Sequence, residues 1–183
     1  MSTILMIPGL HGSEPEHWQS WWERQDPSVI RVHQQNWEHG ELSRWSGRVR
    51  EAILAAPDKV WLVAHSFGCL ATVNAASDLG HKVAGAFLVA PADPDRFGIH
   101  PSRLEKRLPF PSMLVASTTD PYLMLDKAFL LSRHWGSQFI NLGNVGHINV
   151  ASGFGPWPKG RRLFDLFRSQ FEMIEPASWK ISA

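Results

Sequence analysis

Ser66, Asp120 and His147 are the residue types that together can activate a hydroxyl, and they lie far apart along the chain. A serine hydroxyl is a poor nucleophile at neutral pH. It needs a base to take its proton, an acid to orient that base and donors to hold the oxyanion. Ser66 is the centre of Ala64-His65-Ser66-Phe67-Gly68, which follows the apolar run Val60-Trp61-Leu62-Val63 and precedes the small-residue run Cys69-Leu70-Ala71-Thr72-Val73-Asn74-Ala75-Ala76. That context predicts a nucleophile elbow, a sharp strand-to-helix turn that holds a serine hydroxyl out at the end of a sheet. The turn is crowded, so the positions two before and two after the serine must be small. Gly68 meets this need, and Ala64, standing where glycine is usual, adds only a methyl group. In such sites the acid and then the histidine follow the serine along the chain. Asp120 follows the apolar run Ser112–Ser117, and His147 follows Gln138–Leu142 by way of Gly143-Asn144-Val145-Gly146. Both fall at expected C-terminal strand ends, so the three side chains are expected to converge.

Each residue has a plainer reading. Ser66 could be an ordinary helix N-cap. Asp120 could cap the next helix, since Asp-Pro suits a helix start. Asp93 and Asp95, one strand earlier, compete with Asp120 as the acid. His65 is expected to pack at the elbow, pointing away from the hydroxyl. The oxyanion donors are expected to be the backbone amides of Phe67 and Leu10, with His11 as the alternative to Leu10. Leu10 and His11 belong to the loop Pro8-Gly9-Leu10-His11-Gly12, whose glycines allow close approach of backbone to a ligand. Substrate contacts are expected from His11, Phe97, Phe110, Phe154 and Trp157, the aromatic residues forming an apolar wall together with Phe67.

The elements that must position these groups alternate from end to end. Strands are expected at Thr3–Ile7, Val29–Val32, Val60–Ala64, Val83–Ala90, Ser112–Ser117 and Gln138–Leu142. Most are continuous apolar runs, the pattern of parallel strands buried on both faces. Helices are expected at about Glu16–Arg24, Leu42–Ala56, from just after Ser66 to Leu79 with Gly80 as C-cap, Met124–Trp135 and Gly160–Ile174. The last has Leu163, Phe167, Phe171 and Ile174 on one face, with Pro176 beyond. This order implies a three-layer α/β/α sandwich with a parallel sheet, right-handed crossovers and ligands at the C-terminal strand edge. The irregular stretch Pro91–Pro111 is too short for a separate lid domain, so at most a flap or a short helical excursion over an open cleft is expected.

Composition narrows the function. The 183 residues suit one domain spanning 1–183, and 44% hydrophobic with 19% charged residues is a globular composition. A formal net charge of +1 without a long basic run disfavours nucleic acid as a partner. One cysteine, Cys69, excludes an internal disulfide and offers no metal cluster. No metal or organic cofactor is required. The apolar start Ile4–Ile7 ends at Pro8 and no Lys or Arg precedes Arg24, so neither a signal peptide nor a membrane span is expected and the cytoplasm is the expected compartment. The nine tryptophans include Trp18, Trp21 and Trp22, which are expected to cover apolar surface. No G-x-G-x-x-G or G-x-x-x-x-G-K-[ST] follows the first strand, which disfavours nucleotide binding.

The set of motifs resembles the small serine hydrolases of the retinoblastoma-binding protein 9 and YdeN type, a compact branch of the α/β-hydrolase superfamily. The matching residues are Pro8-Gly9, Gly12-Ser13, His17-Trp18, the Ala64–Gly68 elbow, Asp120-Pro121-Tyr122, Gly146-His147-Ile148-Asn149, Ser152-Gly153-Phe154-Gly155 and Trp157-Pro158. The resemblance implies six parallel strands in the order 2-1-3-4-5-6 and catalytic roles for Ser66, Asp120 and His147. It does not carry over a retinoblastoma-type partner, because no Leu-x-Cys-x-Glu is present and Cys69 is followed by Leu70-Ala71-Thr72. The expected activity is hydrolysis of a small acyl ester. Amide, aminoacyl-ester or thioester cleavage are the enzymatic alternatives. A binding protein on the same fold is the alternative from another class.

Overall fold

The structure is a computed structural model that describes residues 2–172. Six strands form one sheet: β1 (Ile4–Ile7), β2 (Val29–Arg31), β3 (Val60–His65), β4 (Val83–Val89), β5 (Ser112–Ala116) and β6 (Gln138–Asn141). Their order is β2-β1-β3-β4-β5-β6 and every pairing is parallel. This is the order expected from the resemblance. The helices are α1 (Trp18–Gln25), α2 (Leu42–Ala55), α3 (Phe67–Ala76), α4 (Leu125–Trp135) and α5 (Pro158–Glu172).

Alternation along the strands sends successive side chains to opposite faces of the sheet. Leu5, Ile7, Leu62 and Ala64 join one buried cluster with residues of α2, α3 and α4. Ile4, Met6, Trp61, Val63, Phe87 and Val89 join the other, with Trp18 and Trp22 of α1 and Phe164 and Phe167 of α5. The two layers differ in how they fill space. Helix α3 is buried along nearly its whole length by small residues, so its backbone lies close to β3. The α1/α5 face is filled by large rings: Trp61 packs edge-on against Phe164 and Phe167, at 5.9 and 5.8 Å between ring centroids. Trp18 and Trp22 are buried, as expected of a tryptophan cluster covering apolar surface.

Some boundaries differ from expectation. Gly80 is not the C-cap of α3; that helix stops at Ala76, with Ser77 as a cap in ordinary right-handed geometry. Helix α5 starts two residues early, because Pro158 takes the first helical position, where its missing N–H costs nothing. Ile174 and Pro176 lie outside the described residues. The Pro91–Pro111 stretch carries two short 3-10 turns, Pro94–Phe97 and Pro101–Arg103, and is tied down by the buried side chains of Leu104, Leu108 and Phe110. No described helix is long and apolar enough to cross a membrane.

Candidate active site

Strand β3 ends at His65 and α3 begins at Phe67, so Ser66 alone makes the turn. Its backbone sits at φ 54° and ψ −124°, a strained conformation for a residue with a side chain. The turn works only because its neighbours yield space. A Cβ on Gly68 would stand 2.5 Å from the carbonyl oxygens of Ile7 and Pro8, and one on Gly9 would stand 2.7 Å from Ser66 Cβ. Ser66 occupies the N-cap position of α3, yet its hydroxyl makes no capping bond. It faces His147 instead.

His147 Nε2 lies 3.0 Å from Ser66 Oγ, and His147 Nδ1 lies 2.9 and 3.0 Å from the two carboxylate oxygens of Asp120. With the proton on Nδ1, donated to Asp120, Nε2 is left to accept from the Ser66 hydroxyl. The His147 and Asp120 side chains are 7% and 3% exposed, which keeps water from competing for these bonds. Asp120 also accepts from the Tyr122 amide at 2.9 Å and does not cap α4, whose N-cap is Met124. The Tyr122 ring packs edge-on against the His147 ring, 4.5 Å between centroids. The competing acids face a lysine and not His147: Asp93, which lines the cavity over Ser66, and Asp95 both pair with Lys127 Nζ, at 2.8 and 2.6 Å. Burial pushes the Cys69 thiol well above its usual range, so the neighbouring sulfur offers no thiolate.

The loop after β1 is held from several sides. The Gln19 side-chain amide donates to the carbonyls of Ile7 and Val63, and its oxygen accepts from the Ser13 hydroxyl at 2.7 Å. The Arg31 guanidinium donates to the carbonyls of Gly12 and Ser13. The His11 amide is spent on the Trp37 carbonyl at 2.9 Å. Among the described residues the Leu10 and Phe67 amides, each opening a helical turn, meet no such acceptor.

A cavity of about 690 Å³ opens over Ser66. Of the side chains expected to meet substrate, His11 and Phe97 line it, as does Leu10. Phe110, Phe154 and Trp157 do not. Phe110 is buried in the cluster beneath the α2/α3 layer. Trp157 stacks on Trp22 at 6.1 Å in the opposite layer, with Phe154 edge-on to it at 5.5 Å. Phe67 is fully buried against Trp45 and Phe97, so only its backbone remains for the site. Glu14, His17, Arg96, Tyr122 and Asn149 also line the cavity. His17, Tyr122 and Asn149 stood in the motifs that carry the family resemblance, whereas Arg96 carried no signal beyond its place in the Pro91–Pro111 stretch. Burial, the Arg31 guanidinium and the His147 ring together lower His17 to about 3, and burial holds His65 well below the usual histidine range. Both rings are therefore neutral beside the candidate base.

The family model for serine hydrolases matches residues 4–166. The chain belongs to the serine hydrolase family. Its fold and sequence are similar to a protein described as a YdeN-like hydrolase from Pectobacterium atrosepticum, with 36% identity, 93% of this chain and 92% of that one covered, and a TM-score of 0.88. The ydeN gene product of Bacillus subtilis shares the fold at 17% identity, covering 92% of this chain and 100% of its own, with a TM-score of 0.75. Esterase Est2 of Thermogutta terrifontis does so at 14% identity, with 96% and 85% covered and a TM-score of 0.68. No curated protein matches the chain. This serine hydrolase thus sits among YdeN-like proteins of the α/β-hydrolase superfamily.

Proposed function

We propose that this serine hydrolase cleaves small acyl esters through an acyl-enzyme on Ser66. The observation that carries the reading is the unbroken line Ser66 Oγ, His147 Nε2, His147 Nδ1, Asp120, with contacts of 3.0 and 2.9 Å. His147 takes the Ser66 proton as Oγ attacks the substrate carbonyl. Asp120 holds the imidazole tautomer and stabilises the charged ring. The Leu10 and Phe67 amides bind the oxyanion, each contributing about 3 kcal/mol to the transition state. His147 then protonates the leaving alcohol, and a water activated by the same ring releases the acid.

Short esters fit a cavity of this size, whose aromatic lining includes Phe97 and Tyr122. The Thermogutta esterase, which shares the fold, has been seen with butyrate and with propionate bound. Nitrophenyl acetate and butyrate are accordingly the first substrates to try. Turnover that disappears in Ser66→Ala, with the circular dichroism spectrum unchanged, supports the reading. Turnover that survives the substitution rejects Ser66 as the nucleophile.

A further inference from the structure

The proposed mechanism gives no part to His17, Trp18 or His65, yet all three are buried next to the base, at 2%, 0% and 5% exposure. What Trp18 and His65 touch is the backbone of the loop that carries it. That loop is strained at Ile148, a residue with a branched side chain held at φ 51°. A β-branched residue at positive φ is an outlier that persists only where its surroundings hold it. The holding groups are visible. His65 Nε2–H donates to the His147 carbonyl at 3.0 Å, and Trp18 Nε1–H donates to the Ile148 carbonyl at 3.0 Å. Two consecutive carbonyls thus each receive one buried donor, while the Ile148 side chain is itself fully buried. On the other side the His147 amide donates to Ser152 Oγ at 3.0 Å.

The donor to a carbonyl must be an N–H, so the His65 proton sits on Nε2. His17 keeps that ring in place. Its Nδ1 accepts from the Gln19 amide at 3.2 Å, which anchors it to the first turn of α1, and its ring packs edge-on against His65 at 4.8 Å between centroids. His17 Nε2 has no hydrogen-bond partner among the described residues, so what the ring supplies to His65 is packing.

We propose that His65, seconded by Trp18, is a positioning residue that sets the Ser66–His147 distance by gripping the base through its own backbone. The inference rests on the reading of Ser66 and His147 as nucleophile and base. His65 and Ser66 are consecutive at the end of one strand. One of them meets the His147 carbonyl and the other meets the His147 ring, both at 3.0 Å. The two contacts close a small cycle through a rigid strand end, so the backbone that carries the imidazole cannot shift away from Ser66 without breaking a buried hydrogen bond. A misplacement of about 1 Å at a reacting group can cost as much as 100-fold in rate, so the grip belongs to kcat rather than to substrate binding.

The test compares His65→Leu, His65→Gln and Trp18→Phe with the wild type on nitrophenyl butyrate. Folding is checked by circular dichroism, and kcat and KM are measured across pH. His65→Leu is expected to lower kcat by about 10-fold or more, with KM within about 2-fold. Glutamine, whose side-chain N–H reaches a similar distance, is expected to restore most of the loss. The shape of the pH profile of kcat/KM is expected to be the same in every variant, because His65 is not the base. A folded His65→Leu with kcat within about 2-fold of the wild type overturns the proposal, as does a glutamine variant no faster than the leucine one. If His65→Leu does not fold, Trp18→Phe decides once its folding has been checked, since it leaves an aromatic ring at this buried position but removes the indole N–H donor. A several-fold lower kcat supports the grip, and an unchanged kcat overturns it. Ser66→Ala, measured alongside, separates the two claims: its retained turnover rejects the nucleophile, whereas its inactivity beside a normal His65→Leu rejects only the positioning role.

Discussion

The elbow that carries Ser66 and the loop that carries His147 both hold a side chain on strained backbone, but they are secured differently. At the elbow the restraint is steric and local in origin: β3 runs straight into α3, and Gly68 lets the turn lie against the Ile7 and Pro8 carbonyls. At the candidate base the restraint is hydrogen bonding, mostly from distant segments. Trp18 of α1, His65 of β3, Ser117 beyond β5 and Ser152 of the following turn each contact a backbone group between Val145 and Ile148. A nucleophile can be placed by the shape of one turn. A base must meet both a serine and an acid from other strands, and a loop gains that accuracy only by borrowing rigidity from the sheet and α1.

The largest expected effect breaks the base side of the comparison. Asp120→Asn leaves the geometry similar but favours the wrong imidazole tautomer, and kcat is expected to fall by about 10⁴-fold, measured by steady-state turnover at neutral pH. Next comes a purely steric break at the elbow. Gly68→Ala must push a methyl group into two carbonyl oxygens, and a loss of about 2 kcal/mol in urea unfolding is expected, with activity falling alongside. If Gly68→Ala were as stable as the wild type, the elbow would not be sterically fixed.

The neutral histidines give a third expectation. His17 is lowered to about 3, chiefly by burial, while an unfolded histidine titrates near 6.5. Between those values the unfolded chain binds a proton that the folded chain refuses. Stability is therefore intact above about pH 6.5 and falls as the pH drops, by up to about 1.4 kcal/mol per pH unit for each such group. His65, shifted in the same direction, adds to the slope. Urea unfolding at pH 7 and pH 5 measures it. His17→Asn, which removes the imidazole but can still cap α1, is expected to flatten the slope. The smallest effect is Ser152→Ala, which deprives the His147 amide of its acceptor and is expected to lower kcat a few-fold with KM unchanged.

The same contrast explains what could be read from the sequence. The elbow was legible because its signal is contiguous: an apolar run, Ser66 between small residues, then Cys69–Ala76. The strand order followed from the family resemblance, and the positions of Asp120 and His147 followed from their places after apolar runs. What could not be read depends on which side of the sheet the chain takes. Phe154 and Trp157 lie only a few residues from His147, but Gly153 turns the chain through φ 82° and they join the α1/α5 layer, away from the cavity. Gly80 carries the residue type of a cap, yet α3 ends four residues earlier. His17 caps α1 in a place where Ser, Thr, Asp or Asn is usual, so its role had no local signature. The positive φ of Ile148 is likewise invisible to propensity, because the donors that hold it are more than 80 residues away along the chain.

The account is most directly tested by treating the folded protein with a fluorophosphonate and mapping the adduct by peptide mass spectrometry. The Thermogutta esterase that shares this fold is phosphonylated by cyclosarin, which is reagent chemistry of the same kind. A single adduct on Ser66, formed far more slowly when His147 is replaced by alanine, is the expected result. A folded protein that takes up no label, or takes it at another residue, contradicts the claim that Ser66 is activated by the imidazole beside it.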